Sequence, residues 1–209
     1  YRRQRQMCIR DRCWGRNWAG QLGTGTSNSQ SPSPQAVSGI GLWAMLAAKK
    51  NQTCSVEAES GQAWCWGDNS NGQLGDGSTQ RSYIPVTVSG RRTYAMLTAG
   101  TAHTCGVEEG TGQAWCWGYN SDGQLGDGTT NQATTPVTVS GGRTWATLVA
   151  GSSHTCGVEA DTGKAWCWGN NNHGELGNGT AGGGGYYTPK AVSGGRTWAT
   201  LAAGSGYTC

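Results

Sequence analysis

The chain has 209 residues, including 37 Gly, 11 Trp and no Phe, and only 13% of its residues are charged. Such a composition favours short strands and tight turns, because Gly destabilises helix interiors and Trp is enriched in strands. The formal net charge is +3, and no run of about 18 apolar residues predicts a transmembrane helix, so we expect no membrane insertion.

The N-terminal segment differs from the rest of the chain. Residues 1–12 carry five Arg and one Asp, a net charge of +4, so the other residues together carry −1. A basic arm of this kind would fit a nucleic-acid-binding function. The run 2–11, however, looks like a translated sequencing adapter, and such foreign segments are excluded from reasoning about the fold. We therefore interpret residues 1–12 as an artefact, and we expect no nucleic-acid partner.

From residue 13 onward the sequence repeats with a period of 51 residues. Trp-Cys-Trp-Gly occurs three times, and Cys-Trp-Gly at 13–15 is the same motif without its first Trp. A period of this size is typical of propellers and other repeat arrays. We divide the chain into a partial repeat 13–53, three repeats 54–104, 105–155 and 156–208, and a truncated repeat that starts at Cys209. Both ends interrupt a motif, so we expect the natural protein to be longer.

Each repeat predicts four short strands in chain order. In the repeat that starts at Cys105, they are the first Cys segment 104–108, the Trp-Cys-Trp segment 114–118, the Pro-Val-Thr-Val segment 136–139 and the Trp-Ala-x-Leu segment 145–148. Asn-Gly and Asp-Gly dipeptides between the second and third segments predict tight turns. Alternation in Trp-Cys-Trp places both indoles on one sheet face and the sulfur on the other, so we expect the Trp side chains to pack between neighbouring sheets.

Six of the nine Cys residues form three pairs with a separation of eleven, namely Cys54/Cys65, Cys105/Cys116 and Cys156/Cys167. If Cys105 faces Cys116 across a hairpin, Val107 faces Ala114 and His103 faces Gly118. Directly opposed Cβ atoms lie close to the distance that a disulfide requires. We therefore predict one disulfide in each full repeat and an extracellular, periplasmic or luminal location, because disulfides persist in oxidising compartments.

The remaining Cys and His residues leave two alternatives. Cys13 and Cys209 are complementary halves of one pair, so a four-bladed ring closed between them is conceivable, although we do not favour it. His103 and His154 lie two residues before a Cys and raise the possibility of zinc. The equivalent positions are Gln52 and Tyr207, however, and the close Cys-x-x-Cys spacing of zinc sites is missing. We expect no metal and no cofactor.

The motif Trp-Gly-x-Asn-x-x-Gly-Gln-Leu-Gly-x-Gly-Thr/Ser at 66–78 and 117–129, followed by Pro-Val and then Ala-Gly-x-x-His-Thr, resembles the regulator of chromosome condensation repeat family. The resemblance covers residues 13–209. It implies an all-β fold, a fragment of a seven-bladed β-propeller with four-stranded blades. It also implies protein partners, with nucleotide exchange on a small GTPase and chromatin binding as the founding activities. A Cys pair in every repeat resembles the secreted members of the family.

Binding residues are expected where the repeats differ from one another. Trp18 replaces Ser70, Tyr119 replaces Asp68 and His173 replaces Asn71, while Tyr186 and Tyr187 follow an insertion at 182–185. Exposed aromatic side chains are typical of binding hot spots, although simple loop variation is the alternative. We therefore predict a non-catalytic, secreted protein-interaction module; the alternative is an exchange factor or chromatin-binding regulator. Two of the three His residues share one repeat position, which argues against a catalytic cluster.

Overall fold

The computed structural model describes residues 11–39 and 41–209, which are all-β and contain fourteen strands. Blade 1 is a sheet of two strands, and blades 2, 3 and 4 have four strands each. The strands are β1 (Arg12–Arg16) and β2 (Gln30–Ala36) in blade 1; β3 (Trp43–Lys49), β4 (Gln52–Glu57), β5 (Ala63–Gly67) and β6 (Ser82–Thr87) in blade 2; β7 (Tyr94–Ala99), β8 (His103–Glu108), β9 (Ala114–Gly118) and β10 (Ala133–Thr138) in blade 3; and β11 (Trp145–Ala150), β12 (His154–Glu159), β13 (Ala165–Gly169) and β14 (Tyr186–Ala191) in blade 4.

Of residues 1–12, which we interpret as an artefact, the structure describes only the last two. Residues 1–10 of the proposed artefact lie outside the described residues. Asp11 and Arg12 are described, and Arg12 begins β1 opposite Ala36. The Asp11 carbonyl lies just before β1 and accepts a hydrogen bond from the Val37 N–H at 3.1 Å. The first strand pair therefore starts slightly before the partial repeat that the sequence predicts.

The strands of each blade are antiparallel neighbours in chain order, and the central hairpin has the predicted register. Cys105 pairs with Cys116, Val107 with Ala114, and His103 with Gly118. The corresponding residues pair in the same way in blades 2 and 4. The structure closes all three Cys pairs as disulfides with Cα–Cα distances of 4.0, 4.1 and 4.0 Å. Cys13 and Cys209 are not in a disulfide among the described residues.

The blades are offset from the sequence repeats. The strand β7 lies at the end of the sequence repeat 54–104, yet it pairs with β8 of the next repeat. The turn between β7 and β8 is only three residues long and is closed by the Gly100 N–H, which donates to the His103 carbonyl at 2.8 Å. Segments joined by so short a turn pair as a hairpin. The third predicted strand also begins earlier than expected; Pro85 lies inside β6, the outermost strand, where its missing N–H interrupts no central ladder.

Successive blades pack face to face through the two sides of the Trp-Cys-Trp strand. Trp117 of blade 3 is fully buried in a cluster with Cys54, Cys65 and Leu74 of blade 2, and Trp168 of blade 4 packs on blade 3 in the same way. The indoles of one blade therefore cover the disulfide of the preceding blade, as the alternation predicts. Cross-blade contacts between β3, β7 and β11 place the first strand of each blade innermost.

The fourth Trp-Ala-x-Leu segment, at 198–201, forms no strand in the structure. Leu201 is nevertheless buried and packs in the core cluster of blade 4 together with Trp198. Beyond it, Ala203 and Thr208 form an isolated antiparallel bridge. The residues 198–209 therefore pack on blade 4 as the corresponding segments pack on blades 2 and 3.

Close approach of the blades predicts a large cost for a methyl group at Gly75. This residue has φ +71°, and a Cβ there would lie 2.7 Å from Trp117 Nε1. We expect Gly75→Ala to destabilise the chain by about 2–4 kcal/mol in urea unfolding, from overpacking together with left-handed backbone strain. Gly77→Ala is the matched control, because Gly77 has φ +90° but no atom within 3.8 Å of the added Cβ. Equal losses for the two variants would contradict this packing.

Candidate functional site

Strand direction brings the long loops of all blades to one end of the sheets. The strand β9 ends, and β8 begins, at this end of blade 3. We call this end the loop rim, and it comprises the loops 17–29, 68–81, 119–132 and 170–185 together with the turns 100–102 and 151–153. The opposite end carries the hairpins 58–62, 109–113 and 160–164 and is called the hairpin rim. Every binding residue that the sequence predicts lies on the loop rim or at its edge.

A buried Asn holds each long loop in shape. Asn69 is fully buried; its Oδ1 accepts a hydrogen bond from the Leu74 N–H at 2.9 Å, and its Nδ2 donates to the Gln80 carbonyl at 2.9 Å. Asn17, Asn120 and Asn171 accept the same backbone bond in the other blades. Buried and satisfied amides of this kind make a loop rigid. Side chains that project from these loops are therefore presented on a fixed scaffold.

Each long loop is also tied to the next blade. The Gln73 carbonyl accepts hydrogen bonds from the Trp117 indole and from the Thr104 hydroxyl, both at 2.9 Å. The Gln21 and Gln124 carbonyls accept the same two bonds from the blades that follow them. The repeated Gln-Leu-Gly motif is thus a connection between blades, which explains why it recurs.

His103 and His154 belong to this framework. His103 is fully buried, its Nε2 lies 3.0 Å from Thr155 Oγ1 of the next blade, and its Nδ1 has no hydrogen-bond partner in the described part of the chain. Burial, together with the charges of His154 and Lys49, lowers the pKa of His103 to about 3. The ring is therefore neutral at physiological pH and supports the blade contact. Within residues 11–39 and 41–209, no group of three or more His, Cys, Asp or Glu side chains is arranged to hold a metal ion.

Trp18 projects from the loop of blade 1 and is 44% exposed. The guanidinium carbon of Arg81, in the loop of blade 2, lies 5.7 Å from the centre of its ring. This distance is within the range of a cation–π interaction. Arg81 is not among the binding residues predicted from the sequence. It could have been found as a departure from the repeat, since Gln132 and Gly185 stand at the corresponding positions of blades 3 and 4.

Tyr119 is held by its backbone and free at its side chain. Its N–H donates to the Ala102 carbonyl at 2.9 Å, as the Asp68 and Asn170 N–H groups do in their own blades. The ring is 37% exposed. The repeat therefore fixes where Tyr119 begins and leaves its aromatic side chain at the surface.

His173 is part of a pair of linked departures from the repeat. Its side chain is 76% exposed, and its Nδ1 lies 3.3 Å from Oε1 of Glu175, whose own side chain is only 4% exposed. Glu175 occupies the position of Gln73 and Gln124. Burial raises the pKa of Glu175, but hydrogen bonds from the N–H groups of Glu175 and His173 and from the His173 ring lower it by more, so the pKa lies below its usual value. Blade 4 thus carries a buried carboxylate under an exposed imidazole.

Tyr187 differs from the expectation of a free loop residue. It lies in β14, and its ring packs on Gly123 of the preceding loop, where a Cβ would come within 2.4 Å of Tyr187 Cδ1. Tyr83 packs on Gly20 in the same way. The position therefore has a structural role, although 44% of Tyr187 remains exposed. The hydroxyl of Tyr186 lies 3.2 Å from Thr180 Oγ1, and this bond together with Asn178 lowers the pKa of Tyr186.

The structure distributes the five residues along the loop rim without gathering them into one pocket. Trp18 lies on blade 1, Tyr119 on blade 3, and the remaining three on blade 4. The loop of Tyr119 contacts Tyr187 through Gly123. Together these side chains offer aromatic faces, an imidazole and hydrogen-bonding groups on a broad surface, which suits contact with a macromolecule better than enclosure of a small molecule. No helix in the described part of the chain meets the length and hydropathy needed to cross a membrane.

Three segments of the chain, residues 60–107, 111–158 and 162–209, match the profile of the regulator of chromosome condensation (RCC1) repeat. The Ultraviolet-B receptor UVR8 of Arabidopsis thaliana is 33% identical over 172 residues, which is 79% of this chain and 38% of the receptor. Human WBSCR16 has a similar structure, with a TM-score of 0.82 and 22% identity over 95% of this chain and 52% of that one. Prp20p of Saccharomyces cerevisiae, a structure described together with its binding to Gsp1p and histones, is also similar. Its TM-score is 0.77 and its sequence identity is 18%, over 94% of this chain and 50% of Prp20p. The chain thus spans about half, or less, of these proteins.

Proposed function

Because this chain belongs to the RCC1 repeat family, we propose that it is a non-catalytic protein-interaction module that binds its partner through the loop rim. The observation that carries this proposal is the contrast between framework and departures. In blades 2, 3 and 4, the Asn of each long loop and the second Trp of each Trp-Cys-Trp strand are fully buried. Trp18, Tyr119 and His173, which depart from the repeat, are exposed on the loops that this framework holds.

The composition of the loop rim supports a protein partner. Trp, Tyr and Arg are the residues most enriched at interface hot spots, and the Trp18–Arg81 pair together with Tyr119 supplies all three types. Rigid presentation of aromatic side chains limits the entropy that is lost on binding. Prp20p, which has the same fold, is described as binding Gsp1p and histones, so the architecture is compatible with this role.

The three disulfides support a location outside the reducing interior of the cell. Each joins adjacent strands of one blade, and each is buried. Stable structural disulfides are rare in the cytosol and common in secreted proteins. We infer that the chain works in an extracellular, periplasmic or luminal compartment.

The test uses residues that the repeat itself supplies at equivalent positions. Proteins from the extracellular or periplasmic fraction of the source organism are captured on the full chain and identified, and the affinity of the purified partner is then measured. We expect Trp18→Ser combined with Tyr119→Asp to weaken binding by about tenfold or more, because hot-spot aromatics contribute at least that much. Lys164→Gln, a change to the residue at the corresponding positions 62 and 113 on the hairpin rim, is the control and leaves the affinity unchanged. Unchanged affinity in the double variant would exclude the loop rim.

A second candidate is an intracellular exchange factor or chromatin-binding regulator, which the similarity to Prp20p favours. The two functions predict different chemistry at the six paired Cys residues. The secreted module retains three disulfides when it is purified from its native source under non-reducing conditions, whereas an intracellular protein yields six titratable thiols. Titration with a thiol reagent distinguishes the two.

A further inference from the structure

On the hairpin rim, an Arg side chain lies over the first indole of the Trp-Cys-Trp strand in blades 3 and 4. The guanidinium carbon of Arg92 lies 3.5 Å from the centre of the Trp115 ring, and its Nε lies 4.0 Å from Glu108 Oε1. Arg143 takes the same position, 3.6 Å from the Trp166 ring, with its Nε 3.6 Å from Glu159 Oε1. An indole face and a carboxylate together thus form a guanidinium site that the chain fills with its own Arg.

Blade 2 retains this site but lacks the Arg. Gly41 stands at the position of Arg92 and Arg143, whereas Trp64 and Glu57 stand at the positions of the indole and the carboxylate. A cavity of about 180 Å³ remains, lined mainly by apolar atoms and by Gly41, Trp43, Glu57, Trp64 and Pro85. Trp43 is only half-buried, whereas the equivalent Tyr94 and Trp145 are 2% and 3% exposed. Both Trp43 and Trp64 line this cavity, and the ring of Trp43 lies edge-on to that of Trp64 with the centroids 6.1 Å apart.

The carboxylate of blade 2 is positioned as in the other blades. The Ser60 hydroxyl donates to Glu57, as the Thr111 and Thr162 hydroxyls donate to Glu108 and Glu159. Among residues 11–39 and 41–209, Glu57 makes no ion pair and no cation lies over Trp64. The anion and the aromatic face are therefore oriented in advance, and no cation of the described residues completes them as Arg92 and Arg143 complete the sites of blades 3 and 4.

We propose that this cavity binds the guanidinium group of an arginine side chain presented by a protein partner. A guanidinium is planar and weakly hydrated, so it stacks on an indole and bonds a carboxylate at the same time, which a compact ammonium does less well. Arg92 and Arg143 show that the surrounding backbone accepts that arrangement. The cavity lies at the opposite end of the blade from the loop rim, so it is a second site and stands independently of the proposed function.

The test is a titration of the full chain with Nα-acetyl-arginine-methylamide, monitored by NMR through the signal of the Trp64 indole N–H. That signal is assigned by its disappearance from the spectrum of the Trp64→Tyr variant. We expect a saturating shift with a dissociation constant on the order of millimolar, since one cation–π contact and one ion pair contribute modestly. The citrulline analogue has the same shape without the charge, and we expect it to bind about tenfold more weakly or worse. Equal binding of the two probes, or no shift of the Trp64 signal, overturns the proposal; stronger binding of the lysine analogue overturns the assignment to arginine.

Two reciprocal substitutions add an internal control. A Cβ at Gly41 would lie 3.0 Å from the Trp43 ring, so the Arg of Gly41→Arg enters the cavity with a small shift of that ring. We expect this variant to abolish the Trp64 response while the far-UV circular dichroism spectrum is unchanged. Arg92→Gly empties the site of blade 3, so we expect a second, similar response at Trp115. A full Trp64 response in Gly41→Arg would show that the probe binds elsewhere. If either variant fails to fold, the comparison of arginine with citrulline on the parent chain still decides the proposal.

Discussion

Reduction of the three disulfides is expected to remove most of the stability of the chain. Each disulfide closes a loop with a sequence separation of 11 residues, and closing a loop of this size stabilises by about 3 kcal/mol in the chain-entropy account. Three such contributions, if additive, are comparable with the roughly 5–15 kcal/mol that stabilises an ordinary domain. We expect the cooperative thermal transition, followed by near-UV circular dichroism, to be lost or to shift strongly downward when reductant is added.

A variant with one disulfide removed isolates the contribution of one blade. We expect Cys105→Ala combined with Cys116→Ala to lower the free energy of unfolding by about 2–5 kcal/mol, with an added loss of packing because both Cys residues lie in one buried cluster with Trp168 of the next blade. We expect reductant to destabilise this variant further only through the disulfides of blades 2 and 4, because blade 3 no longer has one. A chain whose transition is the same with and without reductant would show that packing alone maintains the blades.

Acidification is expected to destabilise the chain already at pH values well above those at which carboxylates are protonated. Because burial lowers the pKa of His103 to about 3 from an ordinary value of 6.5, the unfolded state binds a proton between these two values that the folded state does not bind. Stability is therefore complete above pH 6.5 and falls as the pH drops toward 3, by roughly 2 kcal/mol at pH 5 for His103 alone. Burial lowers the pKa of His154 as well, so it acts in the same direction.

The repeat supplies the control for this effect. Gln52 occupies the equivalent position in blade 2, where its Nε2 donates to the His103 carbonyl at 2.9 Å and to Thr104 Oγ1 at 3.1 Å. We expect His103→Gln to fold and to lose less stability than the parent between pH 7 and pH 5, as measured by urea unfolding at each pH. Identical pH profiles for the variant and the parent would contradict a buried, neutral His103.

Much of the fold could be predicted from the sequence because the period and the alternation report local geometry. The separation of eleven between paired Cys residues gives the register of β8 and β9, in which Cys105 faces Cys116. The alternation of Trp and Cys predicts which face of each blade carries Trp117 and which carries the sulfur atoms. Both predictions depend on residues that are near neighbours in the chain.

The remaining features depend on neighbours in space. A repeat can be cut at any point, so the sequence cannot show that β7 pairs with β8 of the following repeat. Whether Tyr187 is free or packed depends on Gly123 in another blade, and the partner of Trp18 is an Arg more than sixty positions away. The cavity of blade 2 could not be predicted from the sequence either. The absence of an Arg at Gly41 indicates a vacant site only once the structure shows Arg92 over the Trp115 ring.

Each full blade is closed by its own disulfide. Mass spectrometry of a proteolytic digest, prepared from the native source under non-reducing conditions with free thiols blocked at lysis, checks this pairing. We expect linked peptides that join Cys54 to Cys65, Cys105 to Cys116 and Cys156 to Cys167. Recovery of these six residues as blocked free thiols, or in bridges between different blades, would contradict it.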